Sequence, residues 1–186
     1  MIDWDAYRAA YDGMGPAEQA AFYARVWELH PDQRHFDADA CGRLLDAAAP
    51  ASVQEVGGWR GELAAAVLPS RPGILSWRNR EVCEGAASHP ACADPRYSLG
   101  LGPADALVMS HVIEHMRLRE AEAYVEAVRP RAAFVQSPLS EDGQDWAGYR
   151  GSHVLREGWR EVEAMMARHG LRREPALDAP DVRCFL

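Results

Sequence analysis

The first 48 residues carry apolar side chains spaced as in amphipathic helices. Phe22, Val26 and Leu29 follow one another at spacings of 4 and 3 residues, which places them on one face of a helix that Pro16 begins. The segments with this character are DWDAYRAAYDG, GPAEQAAFYARVWELH and DADACGRLLDAAA. The connector HPDQRHF is rich in turn-forming residues. We therefore predict three N-terminal helices.

From residue 49 onward, short apolar runs alternate with longer amphipathic stretches. The runs that predict strands are ASVQEVGG, PGILSWRNREV, PADALVMS and RAAFVQSPL. The stretches that predict helices between and after them are GELAAAVLPS, EVCEGAASH, HVIEHMRLREAEAYVEAVRP and LREGWREVEAMMARHG. Pro130 closes the long third helix, Gly170 caps the last one, and the segment near Tyr97 leaves room for one more short strand.

This alternation predicts an α/β fold with a doubly wound, mostly parallel, Rossmann-like sheet of about seven strands. The last two predicted strands, LRREPALD and DVRCFL, are too closely linked for a crossover helix, so we expect them to form a C-terminal antiparallel hairpin. We predict a single domain over residues 1–186, in which residues 1–48 form a helical lid and residues 49–186 the Rossmann-like core.

Composition and charge narrow the classes of function. The formal net charge of −8, without a basic cluster, disfavours a general nucleic-acid binder, because phosphates would be repelled. No apolar run approaches the roughly 20 residues of a membrane helix. The N-terminal segment is mixed and acidic, unlike a signal peptide, so we expect a cytoplasmic protein. All 20 basic residues are arginine, which indicates GC-rich coding and favours a bacterial source.

The four cysteines are scattered and include no C-x-x-C pair. This pattern predicts reduced, mostly buried thiols rather than disulfides or a zinc knuckle.

A glycine-rich turn follows the first predicted strand, in VQEVGGWRGELA. Glu55 stands late in that strand, and Gly57, Gly58 and Gly61 occupy the turn into the next helix. Ligands of doubly wound sheets lie at the carboxyl ends of the strands, and glycine lets the backbone approach them closely. A strand-to-helix turn can also need glycine for its own geometry, but three glycines and a carboxylate favour a nucleotide-type ligand.

VQEVGGWRGELA resembles motif I of the class I S-adenosylmethionine (SAM)-dependent methyltransferases, whose usual form is E-x-G-x-G-x-G. Glu55, Gly57 and Gly61 match, whereas Trp59 replaces the middle glycine. ILSWRNREV resembles the second strand of the family, in which Glu81 would accept hydrogen bonds from both ribose hydroxyls. Glu81 could instead be a solvated residue that opens the next helix.

The resemblance continues through DALVMSHVIEHM, similar to the fourth strand of the family and its loop, and through the C-terminal strands, so that it covers about residues 50–186. It implies the fold and the activity of the small-molecule methyltransferases of types 11 and 12, with SAM as cofactor and S-adenosylhomocysteine (SAH) as product. The cofactor-binding residues that it implies are Glu55, Gly57, Gly58, Trp59, Gly61, Glu81, Ser110 and His111.

His111, Glu114 and His115 also spell H-x-x-E-H, which on a helix is the zinc-binding motif of one class of peptidases. Here His111 follows directly on a predicted buried strand, at the ligand-binding edge of the sheet. The upstream glycine turn has no role in such a peptidase. We therefore expect no metal and consider a zinc peptidase the weaker alternative. Glu114 could cap the following helix, and His115 could be a packing residue.

The polar loop of residues 137–155 leaves the fourth strand and should border the same cleft. Trp146, Tyr149 and His153, together with Asp145, are the candidate substrate-binding residues, and GSHVL resembles the G-T-H segment of some methyltransferases. The alternative is a surface loop anchored by the two aromatic side chains.

In the methyltransferase interpretation, His111 and His153 are the candidate catalytic bases, because an imidazole titrates near neutral pH. The aromatic side chains of the N-terminal helices would cover the cleft and exclude water. The residues expected in this lid are Trp4, Tyr7, Phe22, Trp27 and His35.

Two alternatives share the fold: a SAM-binding protein with non-methyl chemistry such as cyclisation, and a catalytically silent partner subunit. The acceptor atom and the oligomeric state are left open by the sequence.

Overall fold

The computed structural model of the chain describes residues 3–29, 36–147 and 149–186. His35 and the side chain of Trp27, both part of the predicted lid, lie outside the described part. The helices are α1 (Trp4–Ala10), α2 (Pro16–Leu29), α3 (Ala38–Ala48), α4 (Glu62–Val67), α5 (Glu84–Ser88), α6 (Leu118–Val128) and α7 (Trp159–Arg168). The strands are β1 (Ser52–Val56), β2 (Ser76–Arg80), β3 (Tyr97–Leu99), β4 (Ala106–Ser110), β5 (Ala132–Gln136) and β6 (Val182–Phe185).

The strands form a six-stranded sheet in the order β3-β2-β1-β4-β5-β6. All neighbouring pairs are parallel except β5 and β6, which are antiparallel. The strand order reverses between β1 and β4, and such a reversal opens a crevice at the carboxyl ends of the two strands. The predicted doubly wound, mostly parallel sheet is confirmed, including the short strand near Tyr97.

Both faces of the sheet are buried, as expected for parallel strands covered by helices. In β4, Leu107 and Met109 pack in one apolar cluster with α6 and α7, whereas Ala106 and Val108 pack in the other with α3 and α4. This alternation follows from the two-residue period of a strand. Within the described residues, no helix combines the length and apolar character that a membrane span requires.

The predicted count of about seven strands is wrong by one. The segment LRREPALD, expected as a strand, contributes only an isolated bridge between Arg173 and Phe185 and then a 3-10 turn, Pro175–Leu177. Proline has no backbone N–H to donate to a ladder, so pairing stops at Pro175. The antiparallel C-terminal strand itself, β6, is present.

The predicted long helix of residues 111–129 is also wrong in its first part. His111 has a φ of 49°, only Ile113–His115 form a short 3-10 turn, and α6 begins at Leu118. The Glu114 side chain points into the protein and its backbone carbonyl accepts hydrogen bonds from the N–H groups of Val154 and Leu155. These long-range bonds replace the helical ones, and H-x-x-E-H therefore does not lie on a helix.

The predicted ends of two other elements are confirmed. Helix α2 begins at Pro16, and Gly170, with a φ of 81°, follows the end of α7. All four cysteines are free and buried, as predicted.

Candidate functional site

A cavity of about 960 Å³ lies at the carboxyl ends of β1, β2 and β4. Its volume is at the upper end of the ~300–1,000 Å³ typical of ligand pockets. The glycine turn and Glu81 line one end, which we call the turn end. His111, Glu114, His115 and His153 line the other, which we call the histidine end.

The glycines of the turn end are required by their surroundings. Gly57 has a φ of 66°, and a Cβ there would lie 2.3 Å from Cγ2 of Val112. A Cβ on Gly58 would lie 2.3 Å from the carboxyl carbon of Glu55. Gly61, with a φ of 80°, does not line the cavity, and a Cβ there would meet the ring of Tyr97. The turn therefore passes the cavity with bare backbone at two consecutive positions.

Glu55 lies beneath this turn and is only 1% exposed. Its Oε2 accepts a 2.8 Å hydrogen bond from Nε1 of Trp77. Burial raises the pKa of Glu55 to about 8; the bond from Trp77 opposes the rise, and the negative charges of Glu81 and Glu62 add to it. Glu55 is therefore mainly protonated at neutral pH, which sequence reasoning did not foresee.

Glu81 faces the turn from the end of β2. Its two carboxylate oxygens accept hydrogen bonds of 2.8 Å from the backbone N–H groups of Trp59, Val82 and Cys83. Burial raises the pKa of Glu81 to about 7, although these three bonds act to lower it. A carboxylate has about four acceptor sites, so the three bonds leave capacity for a ligand hydroxyl.

Trp59 occupies the glycine position of the motif in a backbone conformation that glycine favours. Its φ is 50°, it lines the cavity, and its N–H is the donor to Glu81. The departure from the motif is therefore accommodated in the left-handed region, at a cost of roughly 1–2 kcal/mol.

Ser110 and His111 end β4 beside the turn, and both line the cavity. The Ser110 hydroxyl donates a 2.9 Å hydrogen bond to Oε1 of Gln136, and the His111 N–H donates to the Gln136 carbonyl. Nδ1 of His111 lies 3.2 Å from Oε1 of Glu114, and 28% of the His111 side chain is exposed. The strand end and the buried carboxylate together hold the His111 imidazole at the cavity wall.

Glu114 is 1% exposed and has partners on both oxygens. Besides His111, the Ser137 hydroxyl donates a 2.8 Å hydrogen bond to its Oε2. Burial acts to raise the pKa of Glu114, but the bond with His111 and the charges of His115 and His111 outweigh burial, so that the pKa is lowered. Glu114 is therefore a buried, ionised carboxylate.

His153 reaches the histidine end from the polar loop, 38 residues after His115. It is 8% exposed, and its ring centroid lies 4.7 Å from those of Trp146 and Tyr149 and 4.8 Å from that of His115. Burial, with His115 adding to the effect, lowers the pKa of His153 to about 4. The imidazole is therefore neutral at pH 7.

The two aromatic residues predicted as pocket walls have different positions. Tyr149 lines the cavity, whereas Trp146 is buried behind it and donates a hydrogen bond from Nε1 to the Leu155 carbonyl. Trp146 thus packs against the rings of Tyr149 and His153 and does not face the cavity. Asp145, predicted beside them, accepts a hydrogen bond from the Ala147 N–H and does not line the cavity.

The N-terminal helices border the cavity on its open side. Of the residues expected in the lid, Trp4 lines the cavity, while Tyr7 and Phe22 stack on each other with ring centroids 3.7 Å apart. Arg8 donates a 2.7 Å hydrogen bond to the Gly151 carbonyl, which joins α1 to the polar loop. The hydroxyl of Tyr11 donates a 2.9 Å bond to Glu120 in α6.

Comparison with solved structures shows which fold the chain has. No protein-family model matches the chain, and no curated protein matches it significantly. The methyltransferase domain of bacterial CtHen1 is similar with a TM-score of 0.58 and 16% identity, over 80% of this chain and 96% of that one. The fold is that of the class I SAM-dependent methyltransferases.

Two further solved structures have a similar fold. TnmH is 22% identical with a TM-score of 0.57, over 91% of this chain and 56% of that one. Magnesium protoporphyrin IX methyltransferase from Synechocystis PCC 6803, solved with bound SAH, is 9% identical with a TM-score of 0.56, over 89% of this chain and 93% of that one. The chain thus spans nearly the whole of two of these neighbours but little more than half of TnmH.

Sequence reasoning missed part of the site in this methyltransferase fold. The cavity-lining residues that it did not single out include Tyr11, Gln19, Tyr23, Met116, Tyr124 and Arg150. It also considered Glu114 and His115 mainly as capping and packing residues. The aromatic residues that recur along α1 and α2 were the sequence signal for these cavity-lining positions, since a short surface helix needs fewer aromatic side chains.

Proposed function

We propose that this chain is a SAM-dependent methyltransferase that transfers a methyl group to a small-molecule acceptor. One observation carries the proposal: the bare glycine turn and Glu81 open onto the same cavity as His111. The cavity therefore has a nucleotide-type end and an end with proton-accepting side chains. The acidic balance and the size of the cavity favour a small acceptor.

The residues of the turn end fit the adenosyl cofactor. Gly57 and Gly58 line the cavity without side chains, so the backbone is exposed where a nucleoside would approach. Glu81 keeps acceptor capacity for a ribose hydroxyl after its three backbone bonds. Glu55 shapes the turn from below, while Trp59, Ser110 and His111 lie along the path toward the acceptor.

When bound at the turn end, SAM would supply an electrophilic methyl group to the acceptor, and its sulfur would keep the electron pair of the bond to that group. His111 takes the proton that the acceptor loses, through Nε2, because Nδ1 faces Glu114. Glu114 orients the ring through this contact. His153, the second predicted base, is enclosed by three rings and less exposed, so we assign the proton to His111.

The lid that we propose consists of α1 and α2. Trp4, Tyr11 and Tyr23 line the cavity from these helices, whereas α3 packs on the sheet in an apolar cluster with α4. The covering side chains exclude water from the reacting groups. That the protein is cytoplasmic and comes from a bacterium stays a prediction.

Binding of SAM and SAH, measured by isothermal titration calorimetry, tests the proposal. We expect one site per chain, weakened at least tenfold in Glu81→Ala, because the ribose loses its acceptor. Glu84→Ala, an exposed carboxylate three residues further on, is the matched control and should bind as the wild type does. A folded wild-type protein that binds neither nucleoside would overturn the proposal and favour a silent partner subunit.

Transfer itself is measured with methyl-labelled SAM and a panel of small hydroxyl, amine and carbon acceptors. We expect His111→Ala to lose at least 100-fold in rate while its SAM affinity changes little. Binding without transfer to any acceptor would contradict the proposal and favour a non-methyl reaction of SAM.

A further inference from the structure

We propose that Glu114, His115 and His153 bind a divalent transition-metal ion at the histidine end of the cavity. Each residue offers one ligand atom, and these atoms all lie within 4.8 Å of one another. Two of the residues belong to H-x-x-E-H, but the third ligand is His153 from the polar loop and not His111. The site therefore differs in its ligands from the helical peptidase motif that the sequence suggests.

The donor set determines the kind of ion. Two neutral imidazoles and one carboxylate suit zinc and the neighbouring first-row ions, whereas calcium and magnesium prefer oxygen ligands alone. Zinc–nitrogen bonds of about 2.0–2.1 Å place the ligands of a tetrahedral ion roughly 3.4 Å apart. The three ligand atoms, all within 4.8 Å of one another, would move closer by up to about 1.4 Å when the ion binds.

His153 supplies an independent observation that points to a ligand. Its Nδ1 is buried and has no hydrogen-bond partner among the residues that the structure describes. Buried polar atoms are normally paired, and an unpaired one needs an explanation such as an ion. The rings of Trp146, Tyr149 and His115 pack around the imidazole on three sides.

The other two ligands are oriented by hydrogen bonds, as metal ligands usually are. Nδ1 of His115 shares a 2.8 Å hydrogen bond with the Ser152 hydroxyl, which leaves Nε2 for the ion in one tautomer. Glu114 is held by Ser137 on one oxygen and by His111 on the other. A carboxylate ligand also offsets the positive charge of a divalent ion in a buried place.

The three ligands line the cavity, so the remaining coordination positions face the acceptor. Three protein ligands with open positions are the arrangement of catalytic rather than structural zinc. An acceptor with an oxygen donor, such as a hydroxyl or an enol, would occupy an open position and lose its proton more readily. This assignment of the acceptor class rests on the proposed function, whereas the metal site itself does not.

Metal binding to chelator-treated full-length protein tests the site directly. The probes are Zn²⁺, followed by calorimetry, and Co²⁺, whose visible spectrum reports its ligands. We expect one ion per chain and at least 30-fold weaker binding in His153→Phe, which keeps a ring against Trp146 and Tyr149 but removes both nitrogens. His169→Phe is the matched control, since His169 lies 3.2 Å from Glu122 outside the cavity, and it should bind as the wild type does.

Two results would overturn the inference: no binding of either ion to the folded wild type, or equal binding by wild type and His153→Phe. A thiolate charge-transfer band with Co²⁺ would place the ion on a cysteine and would overturn it as well. Thermal unfolding shows whether each variant folds, and Glu114→Gln provides a second ligand variant. SAM titration of the metal-free protein separates the two proposals, since nucleoside binding without metal binding rejects only this one.

Discussion

Two buried carboxyl groups stand at opposite ends of the cavity, and their pKa values move in opposite directions. Glu55 and Glu114 are each 1% exposed. The pKa of Glu55 rises to about 8, because burial dominates and its one side-chain donor, Trp77, only opposes it. The pKa of Glu114 falls, because the hydrogen bond with His111 and the charges of His115 and His111 outweigh the same burial.

The comparison shows that the partners of a carboxyl group, more than its depth, decide its charge. At the turn end a neutral Glu55 supports a backbone turn without adding a charge beneath the ligand. At the histidine end an ionised Glu114 orients His111 and lies beside His115 and His153. Groups whose environments drive their pKa values apart are typical of active sites, where they divide the chemistry between them.

The largest expected effect is on stability at the histidine end. Glu114→Ala should lower the free energy of unfolding by about 3–5 kcal/mol, because it removes the charged partner from a buried network. Urea unfolding at neutral pH measures the change, and Glu126→Ala, an exposed carboxylate in α6, should change it by less than about 0.5 kcal/mol. Equal stability of Glu114→Ala and the control would contradict an ionised, paired Glu114.

At the turn end, the contribution of Glu55 to the stability of the protein should depend on pH. The folded pKa of Glu55, about 8, exceeds the ordinary 4.5, so its contribution to stability is complete below pH 4.5 and is lost as the pH rises through 8. Over that window we expect wild-type stability to fall by up to about 4–5 kcal/mol more than that of Glu55→Gln, which cannot ionise. Urea unfolding at several pH values gives both curves, and parallel curves would show that Glu55 is already charged at neutral pH.

The next largest effect is expected from a substitution in the glycine turn. Gly57→Ala should cost about 2 kcal/mol of stability and at least tenfold in SAM affinity, since the new methyl group meets Val112 at a positive φ. Thermal unfolding and calorimetry measure the two effects. Gly73→Ala, where a Cβ meets nothing within 4 Å, is the control. Unchanged SAM affinity in Gly57→Ala would show that the glycine turn does not contact the cofactor.

The smallest effect should come from Trp59. Trp59→Gly relieves the strain of a φ of 50° and removes a large side chain from the cavity wall, so we expect about threefold tighter SAM binding. Calorimetry with SAM and SAH measures the change. Weaker binding would instead show that the indole contacts the nucleoside.

Much of the turn end could be predicted from the sequence, because its parts lie close together in the chain. Glu55, Gly57 and Gly58 follow one another at the end of β1, and Glu81 follows directly on β2. Strand periodicity places such residues at one edge of a parallel sheet without knowledge of any distant contact. The doubly wound order of the sheet followed from the same alternation of apolar patterns.

The histidine end was decided only by the tertiary structure. His153 meets His115 across 38 residues, because the polar loop folds back and pairs Val154 and Leu155 with the carbonyl of Glu114. The same bonds remove residues 111–116 from the helix that their local pattern predicts. Helical periodicity is a local property, whereas hydrogen bonds between the N–H groups of a loop and a distant backbone carbonyl depend on where the whole chain brings them, and here the long-range bonds prevail.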